Sequence, residues 1–356
     1  MKIKNNFKES NFGKFGIEEE FQIVDPNTFD LVPRSKDLLL QLDDNRFSDE
    51  IFLSTIESNT PICEDISQAR GQIKNLRKQL KNVANQNGLL ISSAGTHPFA
   101  NWEKQVLNPK PRYFQQMKEN NGLNQLEVVY GLHVHFGVNN IKQSMRMYHN
   151  FREVIPYIVA LSSNSPFWES KECYQSTRLH VLDKVPQYGY PKKMKTWKEY
   201  YNNLVELSSV YQSIKSEKDV FWDVRLRPDL GTVEVRALDA QTDRNMTLAM
   251  VAFVLLVGNH FKNNWLELGS NHLKRTACIK YGIKTTFSNQ QVSDIINNLL
   301  KEMEPTQDKL GLSKEIRKLM QVIKLRATPA DYQKQLYQKT KSFPKLVKKL
   351  CEVTIK

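Results

Sequence analysis

The chain has 356 residues, of which 40% are hydrophobic and 25% charged, with a formal net charge of +13. This composition is typical of globular proteins and excludes low-complexity and collagen-like chains. The four cysteines are scattered without a CxxC pair, which excludes a zinc-ribbon pattern and favours a reduced, cytoplasmic protein. The longest apolar run, residues 246–258, is shorter than the roughly 20 residues that cross a bilayer, so it predicts a buried core helix.

No linker rich in proline, glycine or serine divides the chain, so we predict one domain over residues 1–356. About residues 285–356 are predicted to form a basic helical region at its C-terminal end. Residues 301–356 contain 14 Lys or Arg and 6 Asp or Glu. Basic surfaces attract nucleic acids and anionic metabolites, but the lysines of this region show no interleaved aromatic platform. We therefore predict a solvated basic face, with no nucleic-acid or membrane partner, and leave a homo-oligomer open.

The first predicted strand covers residues 16–25 and ends before a proline. Because successive side chains of a strand point to opposite faces, Glu18 and Glu20 share one face and Glu19 lies with the apolar residues on the other. Two carboxylates at this spacing repel each other unless a cation or an arginine lies between them. Glu19 is expected to reach solvent at a strand edge.

Further elements follow in chain order. A short helix is predicted at residues 35–42, and a strand at 53–61 carries Glu57 on its polar face. Asp65 can cap the next helix, whose apolar residues recur at intervals of three and four. Residues 89–95 predict a short buried strand.

The middle of the chain repeats the pattern of the first strand. A strand at residues 128–138 places His133 and His135 opposite its apolar side chains. Helices are predicted at 142–162 and 197–214. Between them, the polar stretch 169–195 lacks periodicity and predicts a long functional loop.

A predicted hairpin follows, with strands at 221–228 and 232–236 and helices from Asn245 to the end of the chain. A mainly antiparallel sheet with helices on one face would gather the ionisable side chains of all these strands on the other face. These side chains are Glu18, Glu20, Glu57, His133, His135, Asp223, Arg225, Arg227, Glu234 and Arg236.

The residue types on this face indicate a particular chemistry. Carboxylates with an occasional imidazole suit Mg²⁺ or Mn²⁺. Arginine makes planar, bidentate contacts with phosphate or carboxylate groups. The phosphate-binding motif GxxxxGK[ST] is absent, so metals and arginines would have to hold the phosphates of any bound ATP. Taken singly, each residue could instead belong to a surface edge, a core or a surface ion pair.

At these residues the sequence resembles the glutamate–cysteine ligase type 2 family of ATP-dependent carboxylate–amine ligases. The matching segments are GIEEEFQIVDP (16–26), TIESNTPICED (55–65), GLHVHFGV (131–138), SPFW (165–168) with STR (176–178), and WDVRLRPDLGTVEVRALDAQT (222–242). The resemblance implies an α+β, glutamine synthetase-like fold whose curved, mainly antiparallel sheet binds metal ions and ATP on a concave face.

The resemblance also implies roles for individual residues. The positions that match metal ligands are Glu18, Glu20, Glu57, Glu64, His133 and Glu234. Arg236 matches an arginine that contacts the transferred phosphate, and Arg178 matches a contact to substrate or phosphate, so we place both with Glu57 in the catalytic set. Arg225 and His135 are assigned, with Arg236, to the nucleotide-binding part of the site, and Asp223 has a supporting role.

The implied reaction phosphorylates a carboxylate with ATP and lets an amine displace the phosphate. Because an acyl phosphate needs a site that excludes water, a lid is expected, and the stretch 169–195 is our candidate for it. The sequence departs from the family pattern at residues 169–175 and 271–275. The identity of the two substrates therefore stays open, and glutamate with cysteine is one candidate pair. Two other functions stay open at this point. A metal-dependent hydrolase of amide or phosphoester bonds could use the same groups to activate water, and a binding protein could keep the fold without catalysis.

Overall fold

The computed structural model describes residues 6–8 and 11–356. Its strands are β1 (Phe15–Val24), β2 (Phe47–Asp49), β3 (Thr55–Asn59), β4 (Leu90–Ser92), β5 (Gly131–Gly137), β6 (Phe167–Trp168), β7 (Lys171–Glu172), β8 (Tyr188–Gly189), β9 (Phe221–Trp222), β10 (Val224–Arg227), β11 (Thr232–Asp239), β12 (Thr286–Phe287) and β13 (Gln290–Gln291).

Its α-helices are α1 (Ser35–Leu42), α2 (Ile66–Gln86), α3 (Pro111–Glu119), α4 (Ile141–Ser162), α5 (Thr177–Leu182), α6 (Trp197–Val210), α7 (Arg244–His260), α8 (His272–Tyr281), α9 (Val292–Glu302), α10 (Glu304–Lys309), α11 (Ser313–Leu325), α12 (Pro329–Thr340) and α13 (Phe343–Thr354). Short 3-10 helices occur at Trp102–Lys104, Leu123–Leu126, Glu217–Asp219 and Gly282–Lys284.

The main sheet has seven strands, all paired antiparallel, in the order β10-β11-β5-β1-β3-β2 with β4 paired to the end of β1. One face is apolar: Ile17, Val134 and Val235 lie side by side on β1, β5 and β11, each at most 1% exposed. Helices α4 and α7 cover this face. The predicted α+β class with a mainly antiparallel sheet and helices on one face is confirmed.

The predicted core helix is also confirmed, because every residue from Met246 to Gly258 is buried within α7. Among residues 6–8 and 11–356, no helix has both the length and the apolarity that a bilayer crossing requires. The C-terminal helices pack against the rest of the fold: Leu346 and Leu350 of α13 share a buried cluster with Ala94 and Phe167.

The expectation for Glu19 was wrong. Strand β1 lies in the middle of the sheet, and Glu19 is only 3% exposed on its apolar face. It pairs with Arg77 of α2 at 2.6 Å and accepts a hydrogen bond from the Thr247 hydroxyl at 2.8 Å. A carboxylate in this environment requires such partners, since an unpaired buried charge is strongly destabilising.

The stretch 169–195 is not a continuous loop, because it contains β7, α5 and β8. Helix α5 is tied to the sheet through Ser165, whose hydroxyl donates to Asp239 at 2.7 Å and accepts from the Arg178 backbone N–H at 3.1 Å. Polar side chains that bond to backbone can stabilise short helices that periodicity does not reveal. Its proposed action as a lid stays a prediction.

Several boundaries also differ from the predictions. The strand predicted at 221–228 divides into β9 and β10, and the helix predicted at 197–214 ends at Val210. The region after Asn245 is not helical throughout, since the β12–β13 hairpin interrupts it.

Candidate active site

The register of the central strands brings distant residues together on the polar face. Glu18 of β1 lies directly opposite His133 of β5, and Glu20 lies opposite Glu57 of β3. On the other side of β5, His135 is the cross-strand partner of Glu234. Directly opposed side chains in antiparallel strands lie about 5 Å apart at Cβ, so these groups can share a ligand.

Glu18 connects the two histidines. Its carboxylate accepts hydrogen bonds from Nδ1 of His133 at 3.0 Å and from Nε2 of His135 at 2.9 Å. The Thr232 hydroxyl lies 3.0 Å from Nδ1 of His135. Burial acts to raise the pKa of Glu18, but His135 and the two hydrogen bonds outweigh it and hold this pKa well below its ordinary value. Glu18 is therefore an ionised carboxylate.

His133 has the arrangement of a metal ligand. Because its Nδ1 donates to Glu18, the lone pair of the neutral ring is on Nε2. This Nε2 is buried, has no hydrogen-bond partner among the described residues, and lies 3.8 Å from a Glu20 carboxylate oxygen. Burial and the nearby Arg236 lower the pKa of His133, which keeps the ring neutral. A carboxylate on the far nitrogen is the usual support of a metal-bound histidine.

On this face of the sheet, two sets of donor atoms among the described residues fit a divalent cation. One set comes from Glu18, His133 and Glu234, and the other from Glu20, Glu57 and His133. Within each set, the ligand atoms lie within 4.8 Å of one another. Carboxylates with one imidazole are the donors expected around Mg²⁺ or Mn²⁺. Together with the unpartnered Nε2 of His133, these donor sets fit the implied metals.

The acidic groups here repel one another when no cation is bound. Burial, followed by the charges of Glu18, Glu50 and Glu20, raises the pKa of Glu57 well above its ordinary value. Burial and then Glu20 raise the pKa of Glu50 to about 7, against the opposite effect of Arg112 and Arg236. A divalent cation would relieve this repulsion, because it favours the ionised form of each neighbouring carboxylate.

The raised pKa of Glu50 predicts a pH-dependent stability difference. Native Glu50 holds its proton between about pH 4.5 and 7, where an unfolded glutamate has lost it, so its contribution to stability falls as pH rises through this range. Glu50→Gln cannot ionise. Urea denaturation in EDTA measures the free energy of unfolding of this variant and of the wild type. The difference, variant minus wild type, should increase by about 1–3 kcal/mol between pH 4.5 and pH 7.5. The exposed Glu103→Gln should show no trend, and a constant difference for Glu50→Gln would contradict the assignment.

Arginines lie beside the acidic groups. Glu234 is fully buried and accepts from Arg225 Nε at 2.6 Å and from Arg236 Nη1. Burial acts to raise the pKa of Glu234, but Arg225 and Arg236 hold it well below its ordinary value. Arg225 also donates to the backbone oxygens of Lys218 and Val220, so its donors are largely used within the protein.

Arg178 on α5 is different because it has no carboxylate partner among the described ion pairs. It is 4% exposed, and its guanidinium donates to the Arg236 backbone oxygen at 3.3 Å. Its Nε is buried without a hydrogen-bond partner in residues 6–8 and 11–356, and burial lowers the pKa of the guanidinium. A buried cation with free donors beside a cavity is suited to an anionic ligand.

The remaining predicted residues lie apart from the donor sets. Asp223 is buried and pairs with Arg275 of α8, so it supports the structure. Glu64 is 63% exposed and pairs with Lys14 at 3.1 Å, and it belongs to neither set. A metal-binding role for Glu64 stays a prediction.

A cavity of about 580 Å³ lies against the polar face of the sheet, beside the donor sets and the arginines. Its walls carry both acids and cations, including Glu18, Glu20, Glu57, His133, Arg178, Arg225, Arg227 and Arg236. The cavity also contains residues that we did not predict: Glu50, Arg112, Glu127 and Tyr188. None of these lies in a clear alternating strand, so sequence periodicity carries no signal for them.

Comparisons with known proteins agree with this geometry. Residues 14–347 match the model of glutamate–cysteine ligase family 2. A relative from Sorangium cellulosum, provisionally named glutamate–cysteine ligase 2, is 32% identical over 95% of both chains. One from Bdellovibrio bacteriovorus with the same provisional name is 28% identical over 98% of this chain and 96% of its own.

The fold resembles that of a solved glutamate–cysteine ligase from Francisella tularensis in complex with AMP. The TM-score is 0.73 at 13% identity, and the match covers 99% of this chain and 90% of the other. Since the family match covers nearly the whole sequence, the rival hydrolase is not favoured. The chain belongs to glutamate–cysteine ligase family 2, a family of ATP-dependent carboxylate–amine ligases.

Proposed function

We propose that the protein joins the carboxylate of one amino acid to the amine of another compound through an acyl phosphate, in the cytoplasm and with Mg²⁺ or Mn²⁺. The γ-carboxylate of glutamate and the amine of cysteine are the first pair to test. One observation carries the proposal. Five potential metal ligands from β1, β3, β5 and β11 form two overlapping sets, and four of the five line a cavity that also exposes arginine donors.

The proposed metal ligands are Glu18, Glu20, Glu57, His133 and Glu234. Cations bound by them would neutralise charge on the γ-phosphoryl oxygens of ATP, the main requirement of phosphoryl transfer. Glu18 keeps the His133 ring in the tautomer that leaves Nε2 free. His135 supports Glu18 from the other side, and Arg225 holds Glu234 in place. We thus propose that His135 and Arg225 act indirectly, by positioning the metal ligands Glu18 and Glu234 that they contact.

The arginines provide the complementary positive charge. Arg236 lies between Glu234 and His133, with its Nη1 3.5 Å from Nδ1 of His133. From this position we propose that it contacts the transferred phosphoryl group. Arg178 has donors left over and would bind the substrate carboxylate or the phosphate. Glu57 would complete the second metal set and align the attacking carboxylate.

We infer that residues 1–356 act as one domain. The basic C-terminal helices share buried side chains with the sheet region: Val347 and Cys351 of α13 pack with Val24 at the end of β1. A region with this much shared core contributes to the stability of the sheet that carries the site.

The function can be tested by incubating the protein with ATP, Mg²⁺ and pairs of amino acids, beginning with glutamate and cysteine. Amide formation with equal release of ADP and phosphate is expected for the correct pair. Hydrolysis of amides or phosphoesters without ATP would instead support the hydrolase. Nucleotide binding without turnover of any pair would indicate a binding protein.

Replacing Arg236 with lysine should lower turnover by roughly 10–100-fold, because lysine cannot reproduce a planar two-pronged contact with a phosphoryl group. Steady-state kinetics with the identified pair provide the measurement. Arg34→Lys, in an exposed pair with Asp37 on α1, is the matched control. Wild-type turnover in Arg236→Lys would rule out the proposed phosphoryl contact.

A further inference from the structure

Glu127 is an acid in the cavity wall with no role in the account above. It follows the 3-10 helix Leu123–Leu126 and lines the same cavity as Glu20, Arg178 and Arg236. The Tyr188 hydroxyl donates to one of its carboxylate oxygens at 2.7 Å, and the Asn124 side-chain amide donates to the other. Both oxygens are therefore held in a defined orientation at the cavity surface.

Glu127 has no charged partner among the described residues, a feature that it shares with Glu50 and Glu57 of the same cavity. Asp49 pairs with Lys110 and Glu234 pairs with three arginines, whereas no ion pair to Glu127 occurs in the part of the chain that the structure describes. Its two contacts are neutral donors. A partly buried carboxylate without a counter-charge is costly unless a ligand supplies the positive charge.

The chemistry of the reaction calls for such a group. Most amines are protonated near neutral pH and have no lone pair with which to attack an acyl phosphate. A site that binds the ammonium group and removes one proton gives the nitrogen a lone pair for the attack. A carboxylate removes this proton best when its pKa lies near the working pH. Burial raises the pKa of Glu127 to about 7, although the hydrogen bonds from Tyr188 and Asn124 act in the opposite direction.

Other charged groups around Glu127 belong to neighbouring elements. Tyr188 of β8 contacts it directly. At longer range, the charge of Arg236 on β11 lowers the pKa of Glu127, and the charge of Glu20 on β1 raises it. The other charged residues of the same cavity are Lys110, Arg112, Lys215, Lys218, Asp219, Arg225 and Arg227, together with the acids already described.

Resting on the proposed function, we propose that Glu127 binds the ammonium group of the amine substrate and is the base that deprotonates it. The Glu127 carboxylate takes one proton from the ammonium. The freed nitrogen lone pair then forms the C–N bond to the acyl carbon as the C–O bond to phosphate breaks. Phosphate leaves with that electron pair, and the second proton lost from nitrogen goes to the departing phosphate.

Tyr188 lies between the proposed ammonium site and the two arginines. Besides holding Glu127, it lines with Arg178 and Arg236 a narrow recess that adjoins the cavity. The ammonium site and the two arginines proposed to hold the acid and its phosphate are thus on one continuous wall. This arrangement allows the amine to approach the activated carbonyl without leaving the cavity.

The test compares two nucleophiles with the acid–amine pair identified by the screen, beginning with glutamate and cysteine. Hydroxylamine is largely unprotonated at neutral pH and traps acyl phosphates as hydroxamates without a base. Glu127→Gln should form hydroxamate from acid and ATP at close to the wild-type rate. Its amide formation with the natural amine should fall by roughly 10²–10⁴-fold.

The pH profile adds a readout that a structural role would not change. In the wild type, kcat/KM for the amine should rise with pH through about 7, since Glu127 must be ionised to act as a base. Glu127→Gln should lose this rise. Tyr188→Phe removes a donor to the carboxylate and should move the rise to higher pH. Glu103→Gln, a substitution of an exposed acid that does not line the cavity, should match the wild type in every assay.

The outcomes separate the two proposals. Absence of hydroxamate from the wild type with every acid would overturn the proposed function. Hydroxamate formation by the wild type, together with unchanged amide formation by Glu127→Gln, would overturn the role of Glu127 alone. Loss of both products in folded Glu127→Gln would also overturn it, because the residue would then be needed for activation of the acid.

Discussion

Replacing Glu20 with glutamine is expected to lower ligase turnover by roughly 10²–10³-fold, corresponding to the several kcal/mol that metal-ion stabilisation supplies to a transition state. Glu20, Glu57 and His133 present ligand atoms within 4.8 Å of one another. A neutral amide oxygen is a much weaker ligand for a hard divalent cation than a carboxylate. Steady-state ligase kinetics at saturating ATP would measure the loss.

The same substitution should hardly affect folding. Glutamine can still accept the hydrogen bond that the Gly131 N–H donates to Glu20, and it removes one negative charge from a repulsive cluster. We expect Tm without metal to change by less than about 2 °C. Glu206→Gln on α6, whose exposed side chain pairs with Lys192, is the control for both assays. A large fall in Tm would show that Glu20 is structural.

Replacing Arg275 with methionine is expected to cost about 3–5 kcal/mol of unfolding free energy. Arg275 is 1% exposed and donates to Asp223 on one side and to Asp183 at 2.7 Å on the other. It thereby joins α8 to the end of α5 and to the β9–β10 region. Its removal leaves Asp223 buried without its cation, and burial already raises the pKa of that carboxyl.

Equilibrium denaturation in urea would measure this effect. The matched control is Arg34→Met, which removes an exposed pair with Asp37 and should cost less than about 1 kcal/mol. Since Asp223 also accepts, through its backbone oxygen, from the Arg236 N–H at 2.8 Å, any Arg275→Met protein that folds should also lose turnover. A stability loss equal to that of the control would contradict the inferred role of Arg275 in joining α8 to α5 and the β9–β10 region.

The common polar face could be predicted because the evidence for it is local. Period-two alternation places Glu18, Glu20 and Glu57 opposite apolar neighbours, and the register then brings them beside His133 and Glu234. The same alternation failed at Glu19, whose partner Arg77 is 58 residues away on a helix. Short-range patterns cannot reveal a buried ion pair between distant segments.

Other parts of the site lay beyond such reasoning. Glu50 and Glu127 lie on connecting segments, where neither a strand nor a helix period marks the side facing the cavity. Arg275 lies on α8, and only the tertiary fold places it between Asp183 and Asp223. Arg178 was identified by resemblance, and its lack of a carboxylate partner could be seen only in the structure.

The proposed shared binding of cations by residues from four strands is tested most directly by a crystal structure of the protein with Mn²⁺ and a non-hydrolysable ATP analogue. Anomalous diffraction would locate the metal without reference to the motifs. We predict peaks bounded by Glu20, Glu57 and His133 and by Glu18, His133 and Glu234, with the γ-phosphate beside them. Nucleotide bound elsewhere, with no manganese within coordination distance of His133, would contradict the proposed active site.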